Sequence, residues 1–380
     1  MDKINNKKLT SSRNYGIDLL RMLAMAMVVM LHVLLRSKLI DDTTPLTLKY
    51  EVLWFIEIFC YCAVDCFVLI SGYVCLNTKF RLSRIVSLWV QVAFYSVIFE
   101  ILYQIVQGSF DYEWLIRSFL PVTSNGYWFF TQYFVLSFLI PFLNKMVKSI
   151  TLRQSAALAG VLMFFLSFMS TVNKSPIPVI GGSGKDLFAT GNGYTLIWLM
   201  AVYILGAVLK RFDESGKLKN IKPVCMIATM LACTVIMWGI KYICDSQSEP
   251  IETKFIINYI SPFVVMIAAA LLIFFSKIKI SLAFQKIIAF LSPAAFGVYV
   301  IHVNRRVWIW FTEQVEPLFG MRLLKVLPCI IFAVLFVYIV CSFADILRAK
   351  MFKLIGVDKL CRKADNIPLV KKICGDTEHK

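Results

Sequence analysis

The chain has 380 residues, of which 59% are hydrophobic, and its formal net charge is +17. Soluble domains are about 45–50% apolar, and the excess here lies in stretches of about 20 residues, the length of a membrane-spanning helix. This composition excludes an ordinary soluble enzyme. The positive charge is spread over loops instead of one face, which disfavours a nucleic-acid partner. We therefore expect an all-α, multi-pass integral membrane protein.

Ten apolar spans are predicted along the chain, and no second, soluble domain is visible. They cover residues 15–36, 52–76, 85–107, 127–147, 153–171, 194–210, 223–243, 256–275, 286–303 and 325–347. The sequence then divides into an N-terminal tail (1–14), a ten-helix membrane domain (15–348) and a basic C-terminal tail (349–380).

Lysines and arginines predict the orientation of these spans. Most of them fall in the two tails and in the loops after even-numbered spans. Since positive charge is retained on the cytoplasmic side, both termini are expected in the cytoplasm and the protein in the plasma membrane. The 11 cysteines show no disulfide or metal-site spacing, so we expect no bound metal.

The first span carries two ionisable residues, Arg21 and His32. Such groups are costly against lipid and usually face a protein interior or a water-filled path. Their separation corresponds to about three helical turns, so both side chains project from one face, about 16 Å apart along the axis. One face therefore offers a cation near one membrane surface and an imidazole near the other, which is a candidate site.

Carboxylates in later spans are further candidates. Asp65 lies deep in the second span, so we expect a polar partner for it, and Arg21 is one candidate. Glu57 and Glu100 are either groups on a substrate path or side chains that reach the outer interface.

Two other side chains mark the predicted outer half of the membrane. His302 ends an outward-running helix, as His32 does, and is either held structurally by a neighbouring helix or part of a site. Trp128 lies at a span boundary, where aromatic residues form an interfacial belt.

Four segments carry a family resemblance. They are the Arg21–His32 pair with ten residues between, residues 64–73 followed by 81–84, residues 127–130 leading to 141–143, and residues 296–302 ending in histidine. In this order over ten spans, and across residues 15–347, the chain resembles the acyltransferase-3 family of membrane acyltransferases.

The resemblance implies transfer of an acyl group, commonly acetyl from acetyl-CoA, to a hydroxyl or amine of an extracytoplasmic glycan or lipid-linked sugar. Many members carry a fused extracellular hydrolase-like domain. The short tail after the last span here is similar to a stand-alone subgroup that O-acetylates polysaccharides. In such a protein the membrane domain, surrounded by lipid, transfers directly, or a separate extracellular partner completes the transfer.

The donor would bind at the cytoplasmic side. CoA is polyanionic, and Arg81, Arg84 and Arg21 are predicted to hold its phosphates, because arginine is suited to bidentate phosphate contacts. Ser71 and Tyr73, from the second resembling segment, are expected beside this donor site.

His32 is the predicted catalytic residue. A neutral imidazole can take a proton from an incoming hydroxyl, although an acyl-histidine intermediate is also open. Asp65 or Glu57 is expected to orient the imidazole. Acceptor contacts are expected from His302, Glu100 and Trp128.

A transporter or flippase of glycans or lipid-linked intermediates is the alternative function. It would also need polar residues within its helices. The product discriminates the two, because an acyltransferase consumes the acyl donor and modifies the acceptor, whereas a flippase leaves the acceptor unchanged.

Overall fold

The computed structural model describes residues 13–123, 126–177, 182, 184–318 and 320–368. Within these ranges the chain is helical and contains no β-strand. The predicted N-terminal tail lies outside the described residues except for its last two, and the C-terminal tail is described as far as residue 368.

The α-helices are numbered in chain order. Their bounds are α1 Tyr15–Leu31, α2 Leu48–Cys60, α3 Ala63–Cys75, α4 Leu82–Gln107, α5 Tyr112–Phe119, α6 Trp128–Ser149, α7 Leu152–Met163, α8 Ser170–Lys174, α9 Leu196–Glu214, α10 Pro223–Asp245, α11 Pro262–Lys277, α12 Leu282–Leu291, α13 Ala295–Val303, α14 Arg305–Val315, α15 Leu323–Ile355 and α16 Val357–Lys363. Two π-helical segments, His32–Arg36 and Phe164–Met169, continue α1 and α7.

Eight helical segments among the described residues are long and apolar enough to cross a membrane, which confirms the multi-pass prediction. They are Tyr15–Arg36, Leu48–Cys75, Leu82–Gln107, Trp128–Ser149, Leu152–Lys174, Pro223–Asp245, Leu282–Val303 and Leu323–Ile355. The other two predicted spans coincide with α9 and α11. Helix α11 is a shorter apolar helix, and α9 is not among the eight. The count of ten and the cytoplasmic termini therefore stay predictions.

Helix α1 lies at the centre of the bundle and packs against α3, α11, α13 and α15. It begins where the Asn14 side chain accepts hydrogen bonds from the amides of Gly16 and Ile17. This cap satisfies amides at the helix start that lack an intrahelical partner.

Glycines allow α3 and α9 to approach closely. A methyl group on Gly72 would lie 2.1 Å from the Tyr203 carbonyl oxygen, and one on Gly206 would lie 2.3 Å from the Leu69 carbonyl oxygen. Small residues at such contacts let helix backbones meet, which is how membrane helices associate where lipid provides no hydrophobic drive. This contact fixes α3, whose other side faces the cavity described below.

Candidate active site

A cavity of about 630 Å3, the central cavity, lies inside the bundle and is lined by both Arg21 and His32. Side chains of α1 and of its π-helical continuation line it at intervals of three or four residues, namely Arg21, Met25, Val28, His32 and Leu35. Side chains at this spacing share one helix face, so a single face forms a wall of the cavity.

The α2–α3 segment forms a second wall with the same spacing. Its lining side chains are Glu57, Tyr61, Val64, Phe67 and Ser71. Aromatic side chains of α6 and α13 complete much of the enclosure, among them Phe129, Tyr133, Phe296 and Tyr299.

The two walls run in opposite directions. Arg21 interacts electrostatically with Cys75 at the end of α3, whereas Asp41, in the loop that follows the His32 segment, interacts with Glu57. The central cavity therefore has an Arg21 end and a His32 end. The two positions are 11 residues apart along the chain, which is about 16 Å along the helix axis.

At the His32 end two histidines are hydrogen-bonded in series. His32 Nδ1 lies 2.9 Å from His302 Nε2, and His302 Nδ1 lies 2.6 Å from the Val298 carbonyl oxygen. A carbonyl can only accept, so His302 Nδ1 must carry a proton, and in the neutral ring its Nε2 is then an acceptor. His32 Nδ1 donates to it, which leaves the lone pair on His32 Nε2.

The surroundings of His32 restrict its ring. The indole of Trp308 packs against it edge-on, with ring centroids 5.3 Å apart, and the Arg36 guanidinium lies over that indole at 4.6 Å from its centroid. His32 and Arg36 are the first and last residues of the π-helical segment, and single π-helical turns occur often at functional sites.

The predicted orienting carboxylates do not hold the imidazole, which corrects that expectation. His32 Nδ1 forms its hydrogen bond with His302 instead. Asp65 is fully buried and accepts a hydrogen bond from the Trp198 indole at 3.0 Å, and it does not line the central cavity. Glu57 does line the cavity, is 1% exposed, and its Oε2 has no hydrogen-bond partner among the described residues.

The Arg21 end has its own carboxylate. Arg21 Nη1 lies 2.6 Å from Asp18 Oδ1, and Arg13 Nε lies 2.5 Å from the other oxygen of the same carboxylate. The candidate pair of Arg21 with Asp65 is therefore not formed. Spacing could have indicated the observed pair, because residues three apart are neighbours on a helix surface.

A second cavity of about 880 Å3, the basic cavity, adjoins this end and shares Cys75, Leu88 and Tyr133 with the central cavity. Its charged lining residues are all basic, namely Lys79, Arg81, Arg84, Lys145 and Lys148, and no described carboxylate lines it. Arg84 and Arg21 both interact electrostatically with Tyr133, so the arginines of the two cavities converge there.

Ser71 and Tyr73 separate in the structure. The Ser71 hydroxyl lines the central cavity and lies 3.0 Å from the Tyr133 hydroxyl. Tyr73 lines neither cavity, and its hydroxyl donates to Asp213 of α9 at 2.5 Å. Tyr73 therefore fastens α3 to α9 instead of contacting a molecule in either cavity.

The predicted acceptor contacts also separate. Glu100 accepts two hydrogen bonds of 3.0 Å from the Arg306 guanidinium and lines neither cavity, so it holds α4 against α14. His302 is 4% exposed and lies behind His32. Of the three, only Trp128 lines the central cavity.

Sequence reasoning missed three tyrosines beside Trp128. Tyr61, Tyr194 and Tyr259 line the same cavity, and the Tyr194 and Tyr259 rings lie 4.4 and 5.8 Å from the Trp128 ring between centroids. Tyr61 could have been found, because it is one turn beyond Glu57. The other two lie in connections between helices, where no periodic pattern indicates the direction of a side chain.

Comparison with known families gives one match. Residues 14–344 match the acyltransferase-3 family model, which describes an acyltransferase domain. No curated protein and no solved structure matches the chain significantly.

Proposed function

The chain belongs to the acyltransferase-3 family and is a multi-pass membrane acyltransferase, and from this we propose that it moves acetyl from acetyl-CoA to a hydroxyl of a glycan or lipid-linked sugar. The observation that carries the proposal is the central cavity, which is lined by arginine at one end and by the hydrogen-bonded histidine at the other. This arrangement supports entry of donor and acceptor from opposite ends, so that they meet inside the protein.

The basic cavity supports a CoA donor. CoA carries several phosphate charges, and the charged residues that line this cavity, among those the structure describes, are five lysines and arginines. Charge-assisted hydrogen bonds from lysine and arginine to phosphate are about twice as strong as neutral ones, so this is the favourable place for the nucleotide end. The two cavities share Tyr133 in their walls, so a thioester arm that passes this side chain would enter the central cavity and approach His32.

The His32–His302 pair supports general-base chemistry. The free lone pair on His32 Nε2 can take the proton of the acceptor hydroxyl as its oxygen attacks the thioester carbonyl. The C–S bond then breaks, the acetyl ester forms, and the CoA thiolate recovers the proton from the imidazolium. His302 Nε2 accepts from His32 Nδ1 throughout and stabilises the transient positive charge.

Tyr299 is suited to stabilise the oxyanion of this reaction. Its hydroxyl is buried and its side chain lines the central cavity. A donor held ready at the position of developing charge lowers the barrier to acyl transfer.

The orientation of transfer rests on the charges of the loops. From the positive-inside distribution we expect the Arg21 end and the basic cavity on the cytoplasmic side, where CoA is found, and the His32 end on the outer side. The acceptor would then be a glycan of the outer surface of the plasma membrane, reached directly or with a separate transferase as partner.

Replacement of His32 tests the function. His32→Ala and His32→Gln should abolish transfer of labelled acetyl from acetyl-CoA to surface glycan, and glycan mass spectrometry should show loss of one acetyl per site. Met30→Ala is the control, because Met30 lies on α1 but lines neither cavity. Normal acetylation in both His32 variants contradicts the proposal. If wild-type cells carry the glycan across the membrane without acetylating it, a flippase is favoured instead.

A further inference from the structure

The His32 end of the central cavity contains an aromatic surface that the transfer chemistry does not use. Trp128, Tyr194, Tyr259 and Tyr61 line it, and their rings contact one another in sequence, with centroids 4.4 to 5.8 Å apart. Trp128 and Tyr259 are nearly parallel, at 26° between planes. Tyr194 is 44% exposed, so part of this surface is accessible.

A buried carboxylate adjoins the aromatic surface. Glu57 interacts electrostatically with Tyr61 and Tyr194 and lines the same cavity. Its Oε2 has no partner among the described residues although the side chain is 1% exposed. An unpaired buried carboxylate oxygen is costly, so a ligand that donates a hydrogen bond there would remove a penalty already present.

We propose that Glu57, Tyr61, Trp128, Tyr194 and Tyr259 form a subsite for one pyranose ring of the acceptor, which deepens the proposed function and rests on it. A pyranose has a flat face of C–H groups that packs on aromatic rings and a rim of hydroxyls that donate to a carboxylate. The aromatic rings and the Glu57 carboxylate lie side by side, at the same end of the cavity as His32, the proposed general base.

The alternative ligand for aromatic rings with a carboxylate is an ammonium group, which rings can surround as a cage. Two observations disfavour it. The rings of Trp128, Tyr194 and Tyr259 pack directly against one another, with centroids 4.4 to 5.8 Å apart, and leave no enclosed space between them for a cation. Arg36 also lines this end of the cavity, and its positive charge repels a cationic ligand.

Binding can be tested without any acyl transfer. The full chain in lipid nanodiscs is mixed with methyl β-glucopyranoside, its N-acetylglucosamine counterpart, sorbitol or ethanolamine, and contacts are recorded by saturation-transfer NMR. We expect saturation of the C–H face of one or both pyranosides. Sorbitol, which has similar hydroxyls but no ring, and ethanolamine, which is cationic, should give at least fivefold weaker signals.

Matched variants locate the contact. Trp128→Leu should weaken pyranoside binding about tenfold, whereas Trp128→Phe, which keeps a flat ring, should change it less than threefold. Glu57→Gln should weaken it without changing acetyl-CoA binding. Trp310→Leu is the control, because Trp310 is 57% exposed and lines neither cavity.

The outcomes separate this proposal from the acyltransfer proposal. Equal signals from sorbitol and pyranosides, stronger signals from ethanolamine, or unchanged binding in Trp128→Leu would each overturn the pyranose subsite. Acetyl transfer from acetyl-CoA could still occur in that case, to an acceptor without a sugar ring. Pyranoside binding that is lost in Trp128→Leu, in a protein that transfers no acetyl, would support the subsite and reject the acetyl-CoA donor.

Discussion

His302 was expected to contact the acceptor, but its position behind His32 predicts a different effect of mutation. Its Nε2 accepts from His32 Nδ1 at 2.9 Å, and its Nδ1 donates to the Val298 carbonyl. His302→Phe removes the nitrogen that accepts the hydrogen bond from His32 and keeps a ring of similar size. His32 then loses the hydrogen bond that fixes its tautomer and stabilises its charged form during proton transfer. His302 is a positioning residue in this reasoning.

The size of the effect follows from that one hydrogen bond. Hydrogen bonds to charged groups contribute about 1.5–3 kcal/mol, and each 1.4 kcal/mol is a factor of ten in rate, so kcat should fall about 10- to 100-fold. The KM for acetyl-CoA and for acceptor should change less than threefold, because His302 does not line the cavity. His302→Gln should recover part of the rate, since an amide oxygen can accept from His32 Nδ1.

The assay is initial-rate release of CoA thiol by purified protein in nanodiscs, with each substrate varied in turn. His32→Ala sets the background, and size-exclusion profiles report folding. A kcat within twofold of wild type in His302→Phe would refute the conclusion that the His32–His302 hydrogen bond supports catalysis. A raised acceptor KM at constant kcat would instead restore His302 as an acceptor contact.

Three further predictions concern the donor site, helix packing and the C-terminal segment. Arg81→Ala and Arg84→Ala should each raise the KM for acetyl-CoA about 5- to 30-fold, more at low salt than at high salt, with kcat little changed and Arg117→Ala as the exposed control. Gly72→Ala should lower the melting temperature in detergent by several degrees, because its methyl group would meet the Tyr203 carbonyl, whereas Gly239→Ala, with open space, should not. Desolvation opposes ionisation of Asp365, but hydrogen bonds from the Ser83 hydroxyl and amide outweigh it and hold the Asp365 pKa below its ordinary value. Because the pKa is lowered in the folded state, ionised Asp365 stabilises the fold at pH values above its unfolded-state pKa, and this stabilisation is lost as the pH falls through its folded-state pKa. Protection of the C-terminal segment from protease should therefore decline in acid for the wild type. In Asp365→Asn this protection should not depend on pH.

Helical periodicity explains why part of the site was predictable. Arg21 and His32 line one cavity because spacing along a helix determines which side chains share a face, and spacing is visible in the sequence. The same rule relates Glu57 to Tyr61 on the second wall. The helical, multi-pass architecture was predictable for a different reason, because apolar stretches of about 20 residues are long enough to cross a bilayer as helices.

Contacts between distant parts of the chain were not predictable. His32 and His302 are 270 residues apart, and Glu100 and Arg306 are 206 apart. A buried carboxylate requires a polar partner, which the sequence indicated for Asp65, but packing alone decided that Trp198 would be that partner. Local patterns identify polar residues that need an explanation and leave their pairing to the tertiary fold.

The apolar middle of the central cavity determines how far a CoA donor could enter. Between the Arg21 and His32 ends the walls present Met25, Val28 and Val64, which offer phosphate neither charge nor hydrogen bonds. Moving a charged group into such a region costs several kcal/mol or more, whereas the uncharged pantetheine arm loses little. We therefore infer that the phosphates stay in the basic cavity and only the thioester end reaches His32. The same apolar walls would limit water at the thioester, which favours transfer to the acceptor over hydrolysis.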